Sequence, residues 1–251
     1  DLMDAAGRQD PGSVRMLASA HASHEELFLL KRGAVDMKGE EGVAHLHLAW
    51  KRTGKQQPAE TKFRVPATDA PNVSGAQALG LAVGAGLDGE PDLAGLRSAV
   101  EQGRVAVLYV LDPGPDGSMG DLQWLVEARK SGRLSALVYE GVLATALARV
   151  ADVVLPGAAW VEKDATYTND QGHVQAASRA INPPGEAVED WQILTSVAAA
   201  LGLPYTYTTS QQVRADVAQA LAGNPAYASL ADQAFNRPVT AEHWLQASNP
   251  M

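Results

Sequence analysis

The chain has 251 residues, 46% of them hydrophobic and 20% charged, enough to bury a sizeable core in one large domain or in one domain with an appendage. Its 20 Lys and Arg stand against 29 Asp and Glu, a net charge of −9, and a surface of that sign repels phosphate backbones and anionic lipid heads. Cysteine is absent, which excludes disulfides, thiolate nucleophiles and Cys-ligated clusters or zinc within this chain.

Neither nucleic acid nor direct membrane insertion is therefore expected, and the absence of a long apolar run or a secretory leader points to a cytoplasmic protein. The chain opens on Asp1 rather than Met and is expected to be a piece of something longer.

In chain order, the apolar run over 13–19 predicts a strand. A helix follows with Ser23 as N-cap and Glu26 three positions on, a capping box, and with Leu27, Leu30 and Ala34 on one face. From Gly42 the period becomes two: Ala44, Leu46, Leu48 and Trp50 alternate with His45, His47 and Lys51, as in a half-buried strand. A polar loop and a return strand over 62–66 would complete a β-hairpin, so 38–72 reads as an insertion. The Gly- and Pro-rich stretch after it is expected to be irregular, with at most a helical turn around 77–81.

The second half alternates regularly. A helix over 93–103 ends at Gly103, a strand runs over 104–112, a helix over 119–132 ends at Gly132, and a strand covers 134–140. A short helix over 142–150 precedes Val153, Val154 and Leu155, a continuous apolar run that predicts a strand buried on both faces. Strands alternating with helices of this length imply crossovers and a parallel sheet. A turn at Asp170-Gln171-Gly172 marks a hairpin, a helix introduced by Pro183 and Pro184 stops at Gly202, and two further helices lie over 210–225 and 225–235 before a loose tail. The expected architecture is α/β: a Rossmann-like, doubly wound, mostly parallel sheet in a domain over 1–202, with a helical extension over 203–251.

Candidate chemistry is sparse. His21, His24, Glu25 and Glu26 cluster at a helix start, but His-x-x-His-Glu does not put two ligands and a base on one helical face, so surface residues are expected. His45 and His47 share a strand side without a third ligand, as on a solvated face. No Gly-x-x-x-x-Gly-Lys-Ser/Thr is present, and in the loop after the 104–112 strand Asp112, Asp116 and Asp121 would push a phosphate away. Glu162, Asp164 and Asp170 with His173 lack a nearby nucleophile and read as a polar loop. Asn72-Val73-Ser74 matches the glycosylation triplet by chance.

The order of "ADVVLP" (151–156), "EKDAT" (162–166), "TYTNDQGHVQ" (166–175) and "PPGEAVEDWQIL" (183–194) resembles the molybdopterin oxidoreductase superfamily, within it most nearly the electron-transferring subunit of bacterial NADH:quinone oxidoreductase, respiratory complex I. "SHEELFLLKR" and "NVSGAQALGL" resemble further segments of that pattern, which covers about 14–202. Three departures bear on chemistry: "DPGP" stands where the family usually has Gly-x-Asn-Pro, His173 where it has Arg, and Ala165 where it has Gly. A guanidinium fork can clamp a pyrophosphate and an imidazole cannot do so equally.

The resemblance implies a structural portion of the complex I subunit that holds no cofactor and contacts other subunits of the hydrophilic arm, peripheral to the inner membrane. The alternative it implies is a fragment of a catalytic enzyme, akin to formate dehydrogenase or nitrate reductase, in which Asp152, Glu162, Asn169 and Gln175 would touch molybdopterin guanine dinucleotide.

Overall fold

A computed structural model describes residues 11–54, 60, 65–81 and 89–231. Its centre is a five-stranded, wholly parallel sheet in the order β2-β1-β3-β4-β5, formed by β1 (Val14–Ser19), β2 (Leu46–Ala49), β3 (Val107–Asp112), β4 (Ala136–Gly141) and β5 (Val153–Pro156). The order reverses between β1 and β3, the switch point of a doubly wound sheet, and a crevice opens there beyond the carboxyl ends of the strands.

Alternation within the central strands builds two cores. Val107, Tyr109 and Leu111 face one side with Met16 and Val138, under α1 (His24–Lys38), α5 (Asp190–Ala200) and α6 (Ser210–Ala220). Leu108 and Val110 face the other with Leu17 and Leu137, under α3 (Ala94–Glu101) and α4 (Gln123–Lys130). Every residue of β3 and β4 is buried, as a strand covered on both faces must be.

Local signals act where the chemistry demands them. Ser23 and Glu26 close the capping box of α1, and Gly132 and Gly202 sit at φ 76° and 78° just past their helices, a conformation open to glycine. Helix α5 starts only at Asp190, because Pro183, Pro184 and Gly185, at φ 59°, make a turn first.

Three expectations are corrected. Leu46–Ala49 is not the first limb of an inserted hairpin: it pairs parallel to β1, Met16 opposite Leu46, because Leu46 and Leu48 complete the α1 core. Most of the expected return strand lies outside the described residues, and an isolated antiparallel bridge between Arg52 and Thr68 closes the excursion. The hairpin expected around Asp170-Gln171-Gly172 is present, as β6 (Ala165–Thr168) with β7 (Val174–Ala177). The stretch expected to be irregular contains a short helix, α2 (Val73–Ala78). Strand β5 is an edge, with Val153 and Val154 40% and 52% exposed, because among the described residues no strand pairs with its outer side, where only the Val188 N–H reaches it, at the Pro156 carbonyl.

The stretch over 142–150 forms turns and a 3-10 turn at Ala148–Val150 rather than a helix. A 3-10 turn, Pro225–Tyr227, opens the last expected helix, whose end and tail lie outside the described residues. His47 is half-buried rather than solvated, and burial, then the Arg15 charge, lower its pKa to about 4. No described helix is long and apolar enough to cross a membrane.

Candidate functional site

The crevice at the switch point holds a cavity of about 970 Å³. His21 follows β1, Pro113 to Pro115 follow β3, Val142 and Leu143 follow β4, Trp160 lies past β5, and the hairpin supplies the far wall. Each strand delivers its loop to the same rim because all five run parallel.

The expected site residues divide. Asn169 and Gln175 line this cavity, as does Asp170. Asn169 also shapes the hairpin turn, its Oδ1 accepting from the backbone N–H of Gln171 at 3.0 Å and of His173 at 2.9 Å. Glu162 does not line it: its Oε2 accepts from the N–H of Ala159 at 2.9 Å and closes the 3-10 turn Trp160–Glu162. Asp152 stands at the opposite, amino end of β5, where its carboxylate accepts from Arg129 and from the N–H of Leu137, the latter at 2.7 Å. The hydrogen bonds from Arg129 hold its pKa below the usual carboxylate range. The four residues are therefore not one constellation.

The electrostatics of the lining are plain. Among the described lining residues, Asp69 and Asp170 are carboxylates and the one Lys or Arg is Lys163. That ammonium is buried and taken, 2.7 Å from Glu26 Oε1 and 2.7 Å from Asp190 Oδ2. Burial lowers the pKa of His21, outweighing the pull of Asp69, so the imidazole is neutral near pH 7. At the end of β3, Asp112 turns inward to the Ser118 hydroxyl at 3.1 Å and the Tyr139 hydroxyl at 3.3 Å, and burial raises its pKa to about 6. Gly114 leaves no room for a side chain, since a Cβ there would run into Ser118 and the His21 ring.

Behind the hairpin lies a polar layer that the local pattern alone would place on the surface. His24, Glu25 and Glu26 are all buried, at most 2% exposed. The His24 ring bridges the hydroxyls of Thr166, at 3.0 Å, and Thr168, at 2.8 Å, and burial followed by the Arg214 charge lowers its pKa to about 3. Glu25 accepts from the Thr166 N–H and hydroxyl, both at 3.0 Å, and from Arg214 at 2.9 Å. Asn72 accepts from the Thr168 N–H at 2.8 Å and donates to the Ala22 carbonyl at 2.8 Å. Two buried cations far along the chain neutralise acids that the local pattern offers to solvent, and two adjacent glutamates right behind a capping serine were the one available sign of it.

All of these residues but Arg214 fall within a match to a known family. The model of the family described as molybdopterin oxidoreductase matches residues 18–200. The chain is 35% identical over 156 residues to the F420-dependent formate dehydrogenase 1 subunit alpha of Methanococcus maripaludis, covering 61% of this chain and 22% of that protein. It is 44% identical over 98 residues to the corresponding subunit of Methanocaldococcus jannaschii, 39% of this chain and 14% of that one. With the mitochondrial NADH-ubiquinone oxidoreductase 78 kDa subunit of Candida albicans it shares 44% identity over 78 residues, 31% of this chain and 11% of that one. Among solved structures, acetylene hydratase from Pelobacter acetylenicus matches with a TM-score of 0.41 and 19% identity over 48% of this chain and 17% of that one. The chain thus spans less than a quarter of the length of the curated relatives it matches. With the family's model matched from the last residues of β1 through β2 to β5 and the hairpin, this chain belongs to the molybdopterin oxidoreductase family.

Proposed function

We propose that this chain is a structural and interaction portion of the electron-transferring subunit of an NADH:quinone oxidoreductase, seated among other subunits of the hydrophilic arm and peripheral to the membrane through them. In this reading it resembles the bacterial form of that subunit and holds no pterin cofactor of its own. The observation that carries it is the charge of the crevice. Two carboxylates line it, and the ammonium of Lys163 is already bound by Glu26 and Asp190. A pyrophosphate placed against that described lining meets like charge and no available cation, so the residues do not fit a pterin dinucleotide.

The match to the Candida albicans 78 kDa subunit supports the assignment to such a complex. The test is calorimetric titration of the chain with guanosine diphosphate, the nucleotide half of the dinucleotide. No binding up to millimolar concentration is expected, and micromolar affinity would overturn the reading.

A second reading rests on the 156-residue match to a formate dehydrogenase alpha subunit and on the position of a large cavity at the switch point. There the chain is part of a catalytic enzyme, and Asn169 and Gln175 border a guanine dinucleotide. Stoichiometric molybdenum or tungsten in the purified full-length protein would establish this second reading over the first.

A further inference from the structure

The polar layer behind the hairpin carries more negative charge than its cations can answer. Glu140, on β4, is fully buried. The Tyr109 hydroxyl, from β3, donates to its Oε2, and its Oε1 has no hydrogen-bond partner among the described residues. Asp190, from α5, is equally buried: Lys163 occupies Oδ2, and Oδ1 has no such partner. Glu26, from α1, gives Oε1 to Lys163 and receives the Ser23 N–H at 3.0 Å on Oε2. Tyr167, from β6, faces the same cluster, and burial raises its pKa above the ordinary phenol value while Lys163 pulls it down. The adjacent Glu25 and Arg214 neutralise each other.

Three carboxyl groups, Glu26, Asp190 and Glu140, thus cluster about the one ammonium of Lys163, which touches only the first two, and two negative charges would be left over if all three were ionised. An uncompensated charge in such a place costs several kcal/mol, and one proton removes one of the two, the other being left to the helix N-termini that carry Glu26 and Asp190. The three acids are not equivalent. Glu26 and Asp190 touch the ammonium and lie in the first turns of α1 and α5, where exposed N–H dipoles favour an anion. Glu140 sits on a strand and, among the described residues, touches no cation and leaves Oε1 without a partner.

We infer that Glu140 is a resident proton-binding site: a neutral carboxylic acid in the native protein at physiological pH, whose proton allows the Lys163 segment to close over the sheet. Burial, then the neighbouring Asp190 charge, raise its pKa well above the ordinary value, in keeping with that placement. Folding therefore retains a proton that the unfolded chain has already released. The stabilisation is full below the ordinary carboxylate range and is lost progressively as pH rises from there toward the folded value.

The direct test is the carbon resonance of the Glu140 side-chain carboxyl in the wild-type chain, followed from pH 5 to 9. The shift of a protonated acid at pH 7 is expected, and that of a carboxylate at pH 7 overturns the inference. A second arm compares unfolding equilibria of wild type and Glu140→Gln over the same range. The ratio of their folding constants should change up to about tenfold per pH unit, with the variant gaining as pH rises. Parallel curves also overturn it. If Glu140→Gln does not fold, the resonance of the wild-type chain decides alone.

Discussion

Lys163 Nζ lies 2.7 Å from Glu26 Oε1, so the ammonium that lines the crevice is also the clasp between the first helix and the segment leading into the hairpin. The same nitrogen reaches Asp190 on the helix that follows the hairpin. One buried cation therefore joins three segments that are remote in sequence, and its geometry decides both the stability of this wall and the charge available to a ligand.

Lys163→Met should destabilise the chain by about 3–5 kcal/mol, because it leaves Glu26 and Asp190 buried without their counter-ion rather than because it removes a favourable pair. Urea unfolding monitored by tryptophan fluorescence measures this. The triple variant Lys163→Met, Glu26→Gln, Asp190→Asn should recover a good part of the loss, and no recovery would mean that packing, not charge, is what Lys163 supplies.

His24 gives the opposite pH dependence from Glu140. Its folded pKa of about 3 lies below the ordinary 6.5, so its stabilisation is full above 6.5 and is lost progressively as pH falls toward 3. Wild type should weaken on acidification by up to about tenfold in the folding constant per pH unit from this group. His24→Gln should be less stable at pH 7 and have a flatter acid limb. Chemical unfolding at pH 4.5 and 7 would show it, and an acid limb of unchanged slope would exclude His24 as its source.

Gly75→Ala should be severe for a residue that gains a single methyl. A Cβ at that position would run into Asn72 Oδ1 and the His24 ring, both of which hold Thr168 in the hairpin. Overpacking of this kind costs about 1–3 kcal/mol, and the displaced hydrogen bonds add to it. Faster amide exchange at Thr166 and Thr168 is the expected signature. Gly95→Ala, which meets nothing within 4 Å on exposed helix α3, serves as the comparison and should be neutral or slightly stabilising.

The extension beyond α5 is pinned by Arg32. Its guanidinium lies 4.7 Å from the Tyr205 ring centre and 5.7 Å from that of Tyr207, donates to the Tyr207 hydroxyl, and pairs with Asp216 on α6 at 3.3 Å. Arg32→Lys keeps the charge but loses the planar stacking and the fork, and should cost about 1 kcal/mol. Proteolysis between 203 and 221 should accelerate before the sheet unfolds; cleavage at the wild-type rate would show that apolar packing alone holds α6.

Much of the frame was legible in the amino-acid order. Apolar runs marked β1, β3 and β4, the Ser23 and Glu26 pair marked the start of α1, and Gly103, Gly132 and Gly202 marked the ends of three helices. These are local effects, each decided within one or two turns of chain, and the family pattern over "ADVVLP" to "DWQIL" marks the segments that follow, β5, the hairpin and α5.

Position within the sheet was not legible. Val153 to Leu155 read as a buried strand because hydrophobicity reports what could be covered, and only the strand order shows that β5 is an edge. Leu46 to Ala49 read as part of a hairpin because period two is common to both strand types, and pairing to β1 alone makes it parallel.

The site was least legible of all. His24, Glu25 and Glu26 have the local pattern of a solvated helix start, and Asp190 falls inside the helix expected from Pro183 on, with no local sign that it is buried. Sequence by itself determined the elements and their alternation, since propensity, capping and periodicity act between near neighbours. Only the tertiary structure decided which acids are buried, which cation answers them and what charge is left in the crevice, since Coulomb energy and desolvation depend on distances between segments that the chain order does not contain.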